Sequence, residues 1–150
     1  MHQFILHIGN IPAALRPVSF DGNGKQWQQW LEFGGFRVAV EHPEQQHLQV
    51  GRQDFFLTGK IDNLTVLAAN AGIAAADSDI VTGFHLLQQN GWEGTRQWKG
   101  AFAVILYDND TKVLQYSIGN TGLMQAYIHV SPHQAVITSS LKALRNNPLV

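Results

Sequence analysis

The chain is predicted to be an α+β domain of 150 residues, with strands at both ends of the sequence and two helices between them. Three observations carry this. Short β-rich runs bounded by Gly, Pro and Asn fill the first third. Helical spacing of apolar residues replaces them between Ile61 and Asn90. A nearly continuous apolar run from Ala101 to Tyr107 then opens a second β-rich half. Strands, then helices, then strands give layered sheets in one domain spanning residues 1–150, with no internal repeat, low-complexity tract or linker.

Taken in order, Phe4-Ile5-Leu6-His7-Ile8 is a short strand interrupted by His7 and ended by Gly9-Asn10 and Pro12. Asp21-Gly22-Asn23-Gly24 is a dense turn signal. Trp27 and Trp30 offer apolar cover before Gly34-Gly35, and Phe36 to Val40 alternates as a strand does. His47 to Val50 and Asp54 to Leu57 read as two more strands, with Thr58-Gly59 as a strand-ending turn. Ile61, Leu64, Val66, Leu67 and Ala68 predict a helix stopped by Gly72. Asp77-Ser78-Asp79 supplies N-cap candidates for a second helix carrying Ile80, Val81, Phe84, Leu86 and Leu87, with Asn90-Gly91 as its stop. Ala101 to Tyr107 is the pattern of a strand buried on both faces. Asp108 to Thr111 is a turn to the hairpin partner Lys112 to Ser117. Gln125 to Val130 and Gln134 to Ser139 form a further hairpin through Ser131-Pro132-His133, and Ser140 to Arg145 reads as a closing helical turn.

A composition of 45% hydrophobic and 14% charged residues is globular, and the charge is low against about 25% in ordinary domains. That leaves an uncharged surface, or a face meant to be covered. The formal charge of -1 provides no basic footprint for nucleic acid or a polybasic membrane patch. The absence of cysteine excludes disulfides, thiolate metal sites and cysteine nucleophiles together. No apolar run approaches the roughly 18–20 residues that span a bilayer. Phe4 to Ile8 lacks a basic leader, so a cytoplasmic location is expected.

Leu57 to Asn63, Ser78-Asp79, Trp98 to Asp108, Ser117 to Tyr127 and Ser139 to Leu144 together resemble segments of the class II glutamine amidotransferases, asparagine synthetase above all. Leu57-Thr58-Gly59-Lys60-Ile61-Asp62-Asn63 matches their Asn-Gly-Glu-Ile-Tyr-Asn. Ser78-Asp79 matches a Ser-Asp-Thr-Glu helix start. Trp98 to Asp108 matches Leu-x-Gly-Met-Phe-Ala-Phe-Ala-Ile-Trp-Asp through Gly100, Phe102, Ala103 and Asp108. Ser117 to Tyr127 tracks their Arg-Asp-Arg-Leu-Gly loop and keeps Gly122 and Tyr127, while Ser139 to Leu144 is similar to Ser-Glu-Ile-Lys-Ala-Leu. The pieces fall in order over about 90 residues, and the first 35 match only as a strand followed by turns. The resemblance implies a four-layer αββα sandwich of two antiparallel sheets, of the N-terminal-nucleophile (Ntn) type.

It also implies where a glutamine pocket would lie. The family's glutamine-binding arginine falls on Arg37, its oxyanion asparagine on Thr58 followed by Gly59, and its glutamine-binding aspartate on Asp79. The nucleophilic cysteine falls on His2, whose bulk also disfavours removal of Met1. An imidazole cannot form the thioester that glutamine hydrolysis requires. Thr58 is a poorer oxyanion donor than an amide, Lys60 reverses a charge, and Ile118-Gly119-Asn120 replaces the Arg-Asp-Arg stretch. No catalytic residue is therefore expected, and the pocket formed by Arg37, Thr58, Gly59 and Asp79 is at most a relict. Read without the resemblance, Asp79 is a helix N-terminal carboxylate worth about 0.5–1 kcal/mol, and Arg37 a solvated or core-edge cation.

Other chemistry is poorly supported. His129 and His133 flank a hairpin turn, and His42 and His47 lack zinc-type spacing, so no metal site is expected. Gly22-Asn23-Gly24-Lys25 lacks the spacing of a phosphate loop, and no Ser-Gly-Gly-x-Asp-Ser pyrophosphate loop occurs. The ATP-pyrophosphatase domain of the synthetases is thus absent from this sequence, and ATP and magnesium belong to a partner. Two readings follow. In the first, the chain is an inactive glutaminase-like domain supporting an ATP-dependent, asparagine-synthetase-like, amide-forming partner. Lasso-peptide isopeptide cyclases and β-lactam synthetases, which lost the same cysteine, are the pattern, with a peptide as substrate of the first. In the second, it is a binding module that holds a small molecule or peptide in the relict glutamine pocket, using Asp79 and Arg37.

Overall fold

A computed structural model describes residues 3–9, 18–19, 27–28, 30–74, 76, 78–119 and 127–139. Their contacts gather into two compact units: Met1–His42 with Gln125–Val150, and Pro43–Met124. Helices and antiparallel sheets occur together, as the α+β expectation requires.

The first unit contains β1 (Phe4–Gly9), β2 (Val18–Ser19), β3 (Trp27–Gln28), β4 (Leu31–Glu32), β5 (Phe36–Val40), β10 (Tyr127–Ser131) and β11 (Gln134–Thr138). Five of these form one sheet in the order β10-β11-β1-β5-β4, and β2 pairs with β3. The pairing is antiparallel, so residues opposite one another share a face. One face is apolar: Leu6 lies between Ile137 and Val38, and Ile8 between Ala135 and Phe36. On the other face Ile5, Ala39 and Val136 pack with Trp30, and the row Val136, His7, Arg37, Glu32 crosses four strands. The ends of β1 and β11 are tied by Thr138, whose hydroxyl donates to the Phe4 carbonyl over 2.7 Å. Strand β10 lies at the sheet edge and turns Ile128 and Val130 outward, 58% and 70% exposed.

The second unit contains α1 (Pro43–Gln46), β6 (His47–Val50), β7 (Gln53–Ile61), α2 (Leu64–Asn70), α3 (Asp79–Asn90), a 3-10 helix at Trp92–Gln97, β8 (Gly100–Asp108) and β9 (Val113–Ile118). Its sheet runs β6-β7-β8-β9. One face meets the helices: Phe55, Leu57, Ile61, Phe102 and Val104 pack with Leu64, Ile80, Phe84, Leu87 and Trp98. The spacing of Ile80, Phe84 and Leu87 places all three on one side of α3. Gly83 lies on that side too, where an added Cβ would stand 3.8 Å from both Phe55 and Trp98. Burying a side chain such as Phe84 contributes roughly 1.5–3 kcal/mol.

Both helices stop at glycine. Gly72 has φ 70°, and the amides of Gly72 and Ile73 return to the carbonyls of Ala69 and Ala68, as in a Schellman end. Gly91, with φ 75°, donates to the Leu87 carbonyl. At the start of α3 the N-cap is Ser78, but its side chain does not cap. Thr82 instead donates to the Ser78 carbonyl and accepts from the Ala76 amide.

Two boundaries differ from the sequence expectation. Thr58 and Gly59 lie inside a strand, because β7 pairs with β8 without interruption from Gln53 to Ile61. Ile61 accordingly ends that strand, and the helix begins at Leu64. The expected helical turn Ser140 to Arg145 lies outside the described residues, as do His2 and Gly122.

Candidate functional site

In the first unit Arg37 corrects the core-edge reading. It is the second residue of β5 and has 0% exposure, opposite His7 of β1, which is also 0% exposed. Its guanidinium lies 5.0 Å from the centre of the Trp30 ring, a cation–π arrangement. The nearest carboxylate is Glu32, one strand away, at 3.8 Å, and 68% of that side chain faces solvent. The nitrogens Nε, Nη1 and Nη2 of Arg37 make no hydrogen bond to any described residue. Burial depresses the Arg37 pKa, and Glu32 offsets this only in part. A buried cation without hydrogen bonds costs several kcal/mol, so this is the most conspicuous electrostatic feature of the unit.

His7 extends that feature. Its Nε2 meets the Gln134 side-chain oxygen at 3.1 Å, so Nε2 carries the proton and Nδ1 is left as an acceptor. Nδ1 is buried without a partner among the described residues. Burial holds the imidazole pKa below its ordinary value. The Gln134 hydrogen bond raises it, and the Arg37 charge lowers it further. Trp30 stands 6.4 Å from the His7 ring, between both polar groups and the apolar cluster. Of the two groups on this face, the Arg37 guanidinium is complementary to a carboxylate, whereas the Nδ1 of neutral His7 accepts and so calls for a donor.

The second unit holds the other three expected pocket residues. Thr58 and Gly59 lie on β7, and Asp79 is the first residue of α3, exposed at the helix N-terminus. Thr58 is 2% exposed, and its hydroxyl oxygen accepts a 2.8 Å hydrogen bond from the side-chain amide of Gln46, itself 0% exposed. Gly59 has φ 85°, a conformation that a Cβ disfavours. Gly100, in the best-matching segment, has φ 138°, and a Cβ there would collide with the Lys60 carbonyl.

Sequence reasoning overlooked a polar staple in the same unit. Asp54, 3% exposed, accepts from His47 at 2.8 Å and from the Asn109 amide at 2.9 Å. His47 stacks on Phe56 with ring centres 4.5 Å apart. A carboxylate that orients an imidazole is half of a general-base arrangement. Among the described residues no Ser or Thr is bonded to His47, so the pair joins β6, β7 and the turn after β8 rather than activating a nucleophile. The only signal in the sequence is that His47 and Asp54, seven residues apart, open two successive predicted strands.

Among the described residues there is no cluster of three or more His, Asp or Glu that could hold a metal ion, and no helix is long and apolar enough to cross a membrane. No protein-family model matches the chain, and no curated protein matches it.

Proposed function

We propose that the chain is a non-catalytic, glutaminase-like domain of the asparagine-synthetase type that supports an ATP-dependent, amide-forming partner. The observation that supports this most is at Thr58. The residue that corresponds to the family's oxyanion amide is a threonine, which has no side-chain amide to donate, and it is buried inside a strand where Gln46 fixes its hydroxyl. An oxyanion hole needs donors aimed at the developing charge. The missing cysteine points the same way. On this reading the two sheets are the inner layers of a four-layer αββα sandwich. The partner supplies ATP, magnesium and the carboxylate activation, and a lasso-peptide isopeptide cyclase is the preferred form of it.

The test is reconstitution with an ATP-pyrophosphatase-type ligase encoded beside this chain. Amide formation should rise when the chain is added, with no ammonia released from glutamine. Ammonia release, or a ligase indifferent to the chain, overturns the reading.

Arg37 favours a second reading, that of a module binding a small molecule or peptide through its carboxylate. The buried guanidinium is the observation in its favour. Calorimetric titration with glutamine and related amino acids tests it. Binding lost in Arg37→Met supports it, and heats indistinguishable from dilution reject it.

A further inference from the structure

A polar cleft of about 570 Å³ in the second unit lies apart from every residue discussed above as a candidate site. Asn70 and Ala71 at the end of α2, Asn90 at the end of α3, and Glu93, Gly94 and Gln97 of the 3-10 helix line it. Two helix C-termini therefore converge there, joined by the Gln89 side-chain amide, which donates 2.6 Å to the Ala71 carbonyl. Each C-terminus carries the negative end of its helix dipole, where a cation is stabilising. Neither α2 nor α3 has a basic residue in its last turn.

Charge over a wider radius has the same sign. Residues 43–124 hold eight Asp and Glu against five Lys and Arg, whereas the rest of the chain holds three against five. Glu93 adds a carboxylate at the rim. It pairs with Arg96 at 3.1 Å, but both side chains are more than three-quarters exposed, and such a pair is weak enough for another cation to displace. The rim amides of Asn70, Asn90 and Gln97 make no hydrogen bond among the described residues. Side-chain amides donate and accept, as an extended peptide backbone requires.

We propose that this cleft receives a lysine or arginine side chain from an extended polypeptide segment. The cationic head sits between the two helix ends and Glu93, and the rim amides hold the segment's backbone. The occupant is committed by charge complementarity and by the amide rim. A free anion or an acidic peptide is repelled.

The experiment is a two-dimensional amide NMR titration of the full chain with a blocked Ala-Ala-Lys-Ala-Ala peptide and its norleucine counterpart. Saturable shifts are expected for the lysine peptide on the side-chain amides of Asn70, Asn90 and Gln97 and on the Gly94 amide. Affinity should fall about fivefold between about 0.05 M and 0.5 M salt. Glu93→Gln should weaken binding about threefold, the scale of one exposed ion pair. Asn90→Arg, which places the chain's own cation at the exposed end of α3, should abolish it while leaving the rest of the spectrum folded. Equal binding of the norleucine peptide, absence of saturable shifts, or shifts centred elsewhere overturns the proposal.

Discussion

The two larger sheets among the described residues are both antiparallel and satisfy their polar groups differently. In the second unit every buried polar side chain that stands out is answered: Asp54 by His47 and Asn109, Thr58 by Gln46. In the first, the row across the sheet places His7 beside Arg37, and buried nitrogens of both make no hydrogen bond among the described residues. Buried polar groups are hydrogen-bonded in the great majority of cases, and the exceptions concentrate where a protein does something other than fold. The interior of the second unit therefore reads as a scaffold, and the interior of the first as the place to look for a carboxylate.

The sharpest way to break this contrast is to remove packing where the scaffold depends on it. Phe84→Ala should destabilise the protein by about 3–5 kcal/mol, because the ring is buried against Phe55, at a centre distance of 5.8 Å. Urea melts followed by circular dichroism would check it; a loss under about 1 kcal/mol would mean the helical face is not a packed core. Gly100→Ala should cost about 3 kcal/mol, combining strain at positive φ with the collision at Lys60. The same melts would report it.

The first unit should respond in the opposite direction. Arg37→Met removes a buried cation that makes no hydrogen bond among the described residues, and should stabilise the protein by about 1–3 kcal/mol while abolishing any carboxylate binding. A destabilised variant would mean that Arg37 is well paired in solution, and the contrast between the sheets would disappear.

His7 gives a smaller, pH-dependent effect. Its pKa is lowered in the folded state, so the unfolded chain takes up the proton first. Its contribution to stability is therefore complete above about pH 6.5 and is lost as pH falls from there toward the folded-state value. Thermal melts between pH 8 and 5 (about one and a half units either side of the ordinary imidazole value) should show a steeper acid decline in the natural protein than in His7→Asn. Parallel declines would place the titrating group elsewhere.

Much of the scaffold was legible in the sequence. The spacing of Ile80, Phe84 and Leu87 and the stops at Gly72 and Gly91 gave both helices, and the apolar run at Ala101 gave the central strand. What failed was local chemistry overridden by pairing. Thr58-Gly59 has turn composition, yet nine consecutive partners on β8 hold it extended. The four residues of α1 and the six of the 3-10 helix are too short for a period to show. In the candidate site, Arg37 was named but its burial was not foreseen. The strand beside it comes from residues 4–9, which pair in turn with residues 134–138, so its surroundings depend on register rather than neighbouring sequence. His7 was visible only as an interruption in an apolar run.

The edge of the first sheet also bears on how the protein behaves in concentrated solution. Between Tyr127 and Ser131 there is no Lys, Arg, Asp, Glu or Pro, the residues with which natural edge strands discourage annealing to other chains. Ile128 and Val130 face water there, and no described strand lies beyond β10. Colloidal stability should therefore be limited by this strand rather than by unfolding. Val130→Lys should change the melting free energy by under about 0.5 kcal/mol while lowering light scattering on concentration, and unchanged scattering would exonerate the edge. One charged side chain in the right place would act as the gatekeeper that this strand lacks.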